Sequence, residues 1–168
     1  MDVTIRPIRM EDAEDLLALA NLPGVRWGTT RTGALTMMEQ RKWLEGFAAT
    51  PNRYCLCAEV EGRVVGTVHL MGDAGPRTRH IAHLGMMVRD DYAGRGIGTE
   101  LLAAMLDLAD NWVGFHRIEL DVMVDNVPGV RLYEKAGFVR EGIFRDKVLR
   151  EGRYVDCYTM ARIKPSDQ

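Results

Sequence analysis

Hydrophobic positions along the 168-residue chain change their period several times, and each change marks an element. Val3 and Ile5 alternate with polar neighbours and predict an opening strand, broken near Pro7. Met10-Glu11-Asp12 leads into a helix carrying Leu16, Leu17 and Leu19, its acids placed early, where the helix dipole favours them. Leu22 to Thr36, with Pro23, Gly24, Gly28 and Gly33, reads as a loop. A helix is expected from Met37 to Ala49, ended before Pro51. The middle is extended: Tyr54 to Val60, a turn at Glu61-Gly62, and a valine-rich partner from Arg63 to Met71. After a loop from Gly72 to Thr78, His80 to Val88 forms another strand. Ile97, Leu101, Leu102, Met105, Leu108, Ala109 and Trp112 recur at steps of three and four and predict a long helix from Gly96 to Trp112. A strand from His116 to Val124, a short helix from Pro128 to Ala136, and strands Phe138 to Phe144 and Tyr154 to Ile163 close the chain. Helices first, then a meander, then a β-α-β-α-β-β tail predict an α/β fold with a mixed sheet, not a doubly wound one.

Chemistry concentrates where the strand ending at Val88 meets the long helix, in Asp90-Asp91-Tyr92-Ala93-Gly94-Arg95-Gly96-Ile97-Gly98-Thr99. The first turn of a helix has unpaired backbone N–H groups and a partial positive charge. Glycines let such a backbone approach an anion closely, so the segment reads as a phosphate cradle. A P-loop is excluded because no lysine follows Gly98. The dinucleotide fingerprint, counted from Gly94, fails at Thr99. A tight turn with no ligand is the structural alternative.

The segment resembles the pyrophosphate-binding motif of the GCN5-related N-acetyltransferases, Gln/Arg-x-x-Gly-x-Gly/Ala, at Gly96 and Gly98. Ala93 departs from the first position of that motif. A second match follows at Asn126-Val127-Pro128-Gly129 and Leu132-Tyr133-Glu134-Lys135-Ala136-Gly137-Phe138, with Gly129 in place of the commoner alanine. The resemblance spans essentially the whole chain. It implies one N-acetyltransferase domain over residues 1–168 with a mostly antiparallel central sheet flanked by helices. It further implies acetyl-CoA as cosubstrate, bound at Gly94, Arg95, Gly96, Ile97, Gly98 and Thr99, with the backbone amides from Arg95 to Thr99 on the pyrophosphate. The pantetheine arm would pair like an extra strand with Met86, Met87 and Val88, Asn126 and Gly129 would meet the cofactor, and Tyr133 would protonate the departing thiolate. The strands ending at Val88 and beginning at His116 are expected to splay around it. The C-terminal half is similar to the bacterial L-amino-acid N-acetyltransferases of this family in Asp110-Asn111-Trp112, Arg117-Ile118-Glu119-Leu120, Val124-Asp125-Asn126, and the stretch from Gly152 through Tyr154-Val155-Asp156 to Met160-Ala161-Arg162.

Acetyl transfer needs a neutral amine, a polarised thioester carbonyl and a proton for the thiolate. An ordinary tyrosine titrates near pH 10, so Tyr133 carries a proton to give. A strand amide near Met87, freed by a bulge, is expected to polarise the carbonyl. His83 is the candidate base, since imidazole changes charge near neutral pH, with Glu119, Asp121 or a water relay as rivals. Trp27, Arg31, Tyr154 and Tyr158 are the candidate substrate-binding residues, and Arg26 or Arg31 could pair with a substrate carboxylate.

A net charge of −2 and a pI near 6.1 argue against nucleic acid as partner. No apolar run approaches the length of a membrane span, and the first residues lack the pattern of a signal peptide. The three cysteines, Cys55, Cys57 and Cys157, have no disulfide or zinc spacing, so a reducing, cytoplasmic setting without metal is expected. The resemblance implies a small-molecule primary amine as partner, foremost the α-amino group of an L-amino acid, which attacks the thioester directly. A homodimer is implied by family habit. A protein N-terminal acetyltransferase and a non-catalytic CoA-binding sensor are the competing readings.

Overall fold

The computed structural model describes residues 1–165. Seven strands form one sheet: β1 (Thr4–Pro7), β2 (Arg53–Val60), β3 (Arg63–Gly72), β4 (Ile81–Val88), β5 (Arg117–Met123), β6 (Val139–Arg150) and β7 (Arg153–Ile163). Their order is β1-β2-β3-β4-β5-β7-β6, and β4 against β5 is the parallel pair in an otherwise antiparallel array. The mixed α/β expectation holds, with helices on both faces.

Strand alternation sorts the core into two layers. Val68, Leu70, Ala82, Leu84, Ile118, Leu120 and Val122 face one way. They meet Ile97, Leu101, Leu102 and Met105 of α4 (Ile97–Leu108) and Val130 of α5 (Val127–Lys135). On the other face Cys57 and Val64 pack against Ala13 and Leu16 of α1 (Ala13–Ala20) and Leu44 of α3 (Met37–Ala49). Cys55 and Cys57 are buried apolar filler on that second face, and all three cysteines are free.

Three elements differ from the hydrophobic pattern. Within the expected loop Leu22–Thr36, residues Pro23–Gly28 form a short helix, α2, because proline at its start presets the helical φ. The long helix gives way at Ala109–Val113 to a π-helical turn. That widened turn shifts the helical phase, and Trp112 leaves the core face to stand 79% exposed. The strand expected to end at Phe144 continues to Arg150, past an irregularity between Phe144 and Val148, because Glu151-Gly152 folds it back on β7. Both turn residues have φ values (51° and 75°) suited to a tight hairpin.

Leu101 has no exposed surface and joins α4 to the sheet. Leu101→Ala should lower unfolding free energy by about 2–5 kcal/mol, read as a shift in urea midpoint at constant slope.

Candidate active site

The parallel pair β4–β5 is short. Ile81, Ala82 and His83 match Arg117, Ile118 and Glu119, and beyond them the strands separate as expected. A cleft of about 1480 Å³ occupies the gap and reaches both faces of the sheet. The register of β4 on β3 shows which backbone groups it exposes. Arg89 N donates to Val65 O at one end and Asp73 N to Ile81 O at the other, around an unbroken register from Ala82 to Val88. In an antiparallel ladder this parity pairs Met87 with Thr67 and turns the backbone groups of Met86 and Val88 away from β3, into the gap. The expected bulge near Met87 is therefore not the device. Divergence from β5 frees the amides, and the ones freed flank Met87.

The side chains of Met86 and Val88 lie on the α4 face. Here Gly94 and Gly96 adopt φ of 74° and 88°, and a Cβ at either would meet no atom within 4 Å. Gly96 caps α4, and the unpaired amides of the first turn follow at Ile97, Gly98 and Thr99. Positive φ, open space and unpaired donors fit a pyrophosphate. Gly98 sits tightly, its ideal Cβ position being 3.3 Å from Leu132. Ala93 lines the cleft with a methyl group, while the Arg95 guanidinium lies over the Tyr92 ring at 5.2 Å.

Across the gap Asn126 caps α5, its side-chain oxygen accepting from Gly129 N at 3.2 Å. A Cβ on Gly129 would come within 2.7 Å of the Asn126 amide nitrogen, so the glycine at this position lets Asn126 keep its place. One helical turn on, Tyr133 packs edge-on against Phe138 at 5.8 Å and lines the cleft. Desolvation pushes its hydroxyl up to about 12, so it stays protonated throughout the neutral range.

On the opposite face the cleft is lined by His83, Glu119, Asp121, Met71, Trp43 and Arg31, among others. His83 is half-exposed, with Nε2 3.2 Å from Asp73 Oδ1 and Nδ1 3.7 Å from Glu119 Oε2. Glu119 is also bound by Arg117, which holds Glu141 with its other nitrogens. Asp121 lies 3.9 Å from Lys147. Arg31 is different: burial lowers its pKa, and among the described residues no carboxylate pairs with it. The neighbouring His69 ring lies against Gly85, where a Cβ would come within 2.4 Å of it. Burial first, then the charges of Arg31 and Arg53, push His69 down to about 4, which keeps it neutral.

Three expected substrate contacts fall elsewhere. Tyr154 is 67% exposed on the β6–β7 hairpin, carried outward by the unforeseen length of β6. Tyr158 pairs in register with Val122, which turns it to the α4 face, where Arg140 covers its ring. Trp27 backs the cleft instead of lining it, its ring stacked under Arg150 at 4.1 Å. Arg26 is exposed and packs over Gly33. Sequence reading missed Asp73, His69, Met71, Trp43 and Lys147. Strand alternation could have found two of them, because His69 and Met71 share the face of His83.

Residues 18–138 match the sequence model of the Acetyltransferase (GNAT) family. The chain is 34% identical over 163 residues to an L-amino acid N-acetyltransferase of Escherichia coli K12, covering 97% of this chain and 99% of that one. It superimposes on an acetyltransferase of the same family from Streptococcus pneumoniae with a TM-score of 0.86 and 30% identity, over 96% and 99% of the two chains. A ribosomal-protein-alanine N-acetyltransferase from Brucella melitensis matches with a TM-score of 0.86 and 26% identity, over 95% and 99%.

Placing a Cβ at Gly96 forces an L-residue into left-handed φ, at a cost of about 1–2 kcal/mol. Gly96→Ala should lose that much stability in a denaturant melt and bind acetyl-CoA about tenfold more weakly by calorimetry. Unchanged affinity would reduce the glycine to a turn former.

Proposed function

The chain belongs to the GNAT acetyltransferase family, and on that premise we propose that it acetylates the α-amino group of a free L-amino acid. Acetyl-CoA supplies the acetyl group as a thioester. The single observation carrying the choice of acceptor is the state of Arg31, a half-buried guanidinium in the cleft without an acid partner among the described residues. Partial burial disfavours its charge, and a substrate carboxylate held by the guanidinium fork would offset that cost. A polyamine would need the reverse arrangement, free acids on the acceptor side. There Glu119 is engaged by Arg117 and Asp121 has Lys147 nearby. The E. coli relative points the same way in its name.

In this reading the chain's own groups divide the work. Amides of the first turn of α4 hold the pyrophosphate, and the gap-facing backbone of Met86 and Val88 pairs with the pantetheine arm. One of those gap-facing amides polarises the carbonyl. His83, with Asp73 and Glu119 on its two nitrogens, takes the proton released by the acceptor ammonium. The neutral amine attacks the thioester carbonyl; as the C–S bond breaks, Tyr133 delivers its phenolic proton to the leaving sulfur, and the proton shed by the acylated nitrogen restores the phenol, whose elevated pKa keeps it protonated at working pH. The free cysteines support a cytoplasmic setting.

Free-thiol release should be followed against L-amino acids, polyamines and N-terminal peptides. L-amino acids are expected to turn over, and Arg31→Ala should raise their KM by about 10- to 100-fold, the worth of a charged hydrogen bond. Turnover of peptides alone, indifferent to Arg31, would replace this reading with a protein N-terminal acetyltransferase. Tyr133→Phe should lower kcat by about 10²- to 10⁴-fold while acetyl-CoA still binds. A kcat within twofold of the wild type would remove Tyr133 as the proton donor.

A further inference from the structure

We infer that Arg150 is a positioning residue for the acceptor: it clamps the strap formed by α2 and Gly28–Arg31 across the cleft and so fixes where Arg31 stands. The inference rests on the proposed role of Arg31. Arg150 is the last residue of β6, and its side chain is only 14% exposed although it sits at a hairpin tip. The guanidinium stacks on the Trp27 ring at 4.1 Å, and Nη1 donates to Trp27 O at 3.4 Å. The same group forks onto Asp125, with Nη1 3.1 Å from Oδ1 and Nη2 on Oδ2, and touches Met123 Sδ at 3.3 Å. One side chain thus joins the hairpin tip, the β5–α5 turn that carries Asn126, and α2.

The strap depends on such a clamp because its own packing is slight. Among its residues α2 buries Val25, and it has no side-chain cap. Its base is pinched by Asn21, whose side chain donates to Leu35 O and accepts from Leu35 N, both at 2.9 Å. Its leading end is pinned where Gly24 N donates to Asp90 Oδ2 at 2.9 Å, beside the pyrophosphate loop. A Cβ at Gly24 would lie 2.4 Å from that carboxylate, so only glycine permits the approach. Arg150 holds the trailing end. From there Thr29 carries the position forward: its hydroxyl donates to Val25 O at 2.6 Å and accepts from Arg31 N at 3.2 Å. Arg150 itself lies outside the lining of the cleft, although Met123, which it touches, belongs to that lining. Its path to Arg31 runs through the strap, from Trp27 by way of Val25 and Thr29.

Arg150→Ala, Arg150→Lys and wild type should be compared by amide hydrogen exchange over residues 23–31 and by steady-state kinetics with free L-amino acids. Arg150→Ala is expected to lose protection across that segment, with the acceptor KM raised about tenfold and kcat and the acetyl-CoA KM within about twofold of wild type. Lysine keeps the charge without the planar fork, so Arg150→Lys should fall between the two. Unchanged exchange in Arg150→Ala overturns the clamp, as does lost protection with an unaltered acceptor KM or an equal rise in the acetyl-CoA KM. Silence of the wild type on every amino acid overturns instead the proposed acceptor, and exchange, which needs no acceptor, still decides the clamp.

Discussion

Parallel strands that begin side by side and then part leave backbone groups without partners, and that constraint organises this molecule. β4 and β5 share the positions His83 and Glu119 and then diverge. The cost is the unmet hydrogen bonding of Met86 and Val88, and buried backbone groups are almost always paired. A sheet tolerates such a break where something else completes it, as when an extended ligand adds itself like a strand. The divergence also opens the passage between the faces. On the proposed reading a thioester presented from the α4 side then meets an amine arriving from the side of α1 and α3. Were the two strands zipped to their ends, the glycine cradle and the acceptor residues would lie on opposite sides of a closed sheet.

Charge on the acceptor side follows from the same geometry. Along β5 the acids Glu119 and Asp121 face the cleft, and Arg117 and Lys147 approach them from strands of the same sheet. His83 sits between Asp73 and Glu119, so its ring is oriented by carboxylates on both sides. Arg31 comes from a loop above the sheet, which carries no acid to meet it. That side of the cleft thus combines an imidazole between two carboxylates with a half-buried guanidinium that no carboxylate among the described residues meets, and on the proposed reading the two serve a molecule whose ammonium and carboxylate sit on one carbon.

Legibility in the sequence tracked the range of the forces involved. The glycines before α4, Asn126 and Tyr133 sit in short motifs whose geometry is set within a few residues, and all of them line the cleft. Period also located α3, the β2–β3 hairpin and the α4 core face. Trp112 was misjudged because a single π turn changes the helical phase, which a fixed 3.6-residue period does not anticipate. Tyr158 was misjudged because its face is set by pairing with Val122, 36 residues earlier in number and fixed only by sheet register. Tyr154 failed because β6 ran on to Arg150 before turning back.

The acceptor loop was the least legible part, for a reason that follows from how it is held. Residues 22–36 contain glycines and polar side chains that read as loop, and within α2 the residue buried is Val25. Their positions come from Asp90, 66 residues from Gly24, and from Arg150, 123 residues from Trp27. No local pattern encodes contacts of that separation. Rigid sheet and helix termini present the donor, where the chemistry is common to a family and the motifs are short. On the proposed reading a loop tied down by distant side chains presents the acceptor, where chemistry can vary without disturbing the core. The same division that makes the donor site readable leaves the acceptor to be settled by three-dimensional contacts.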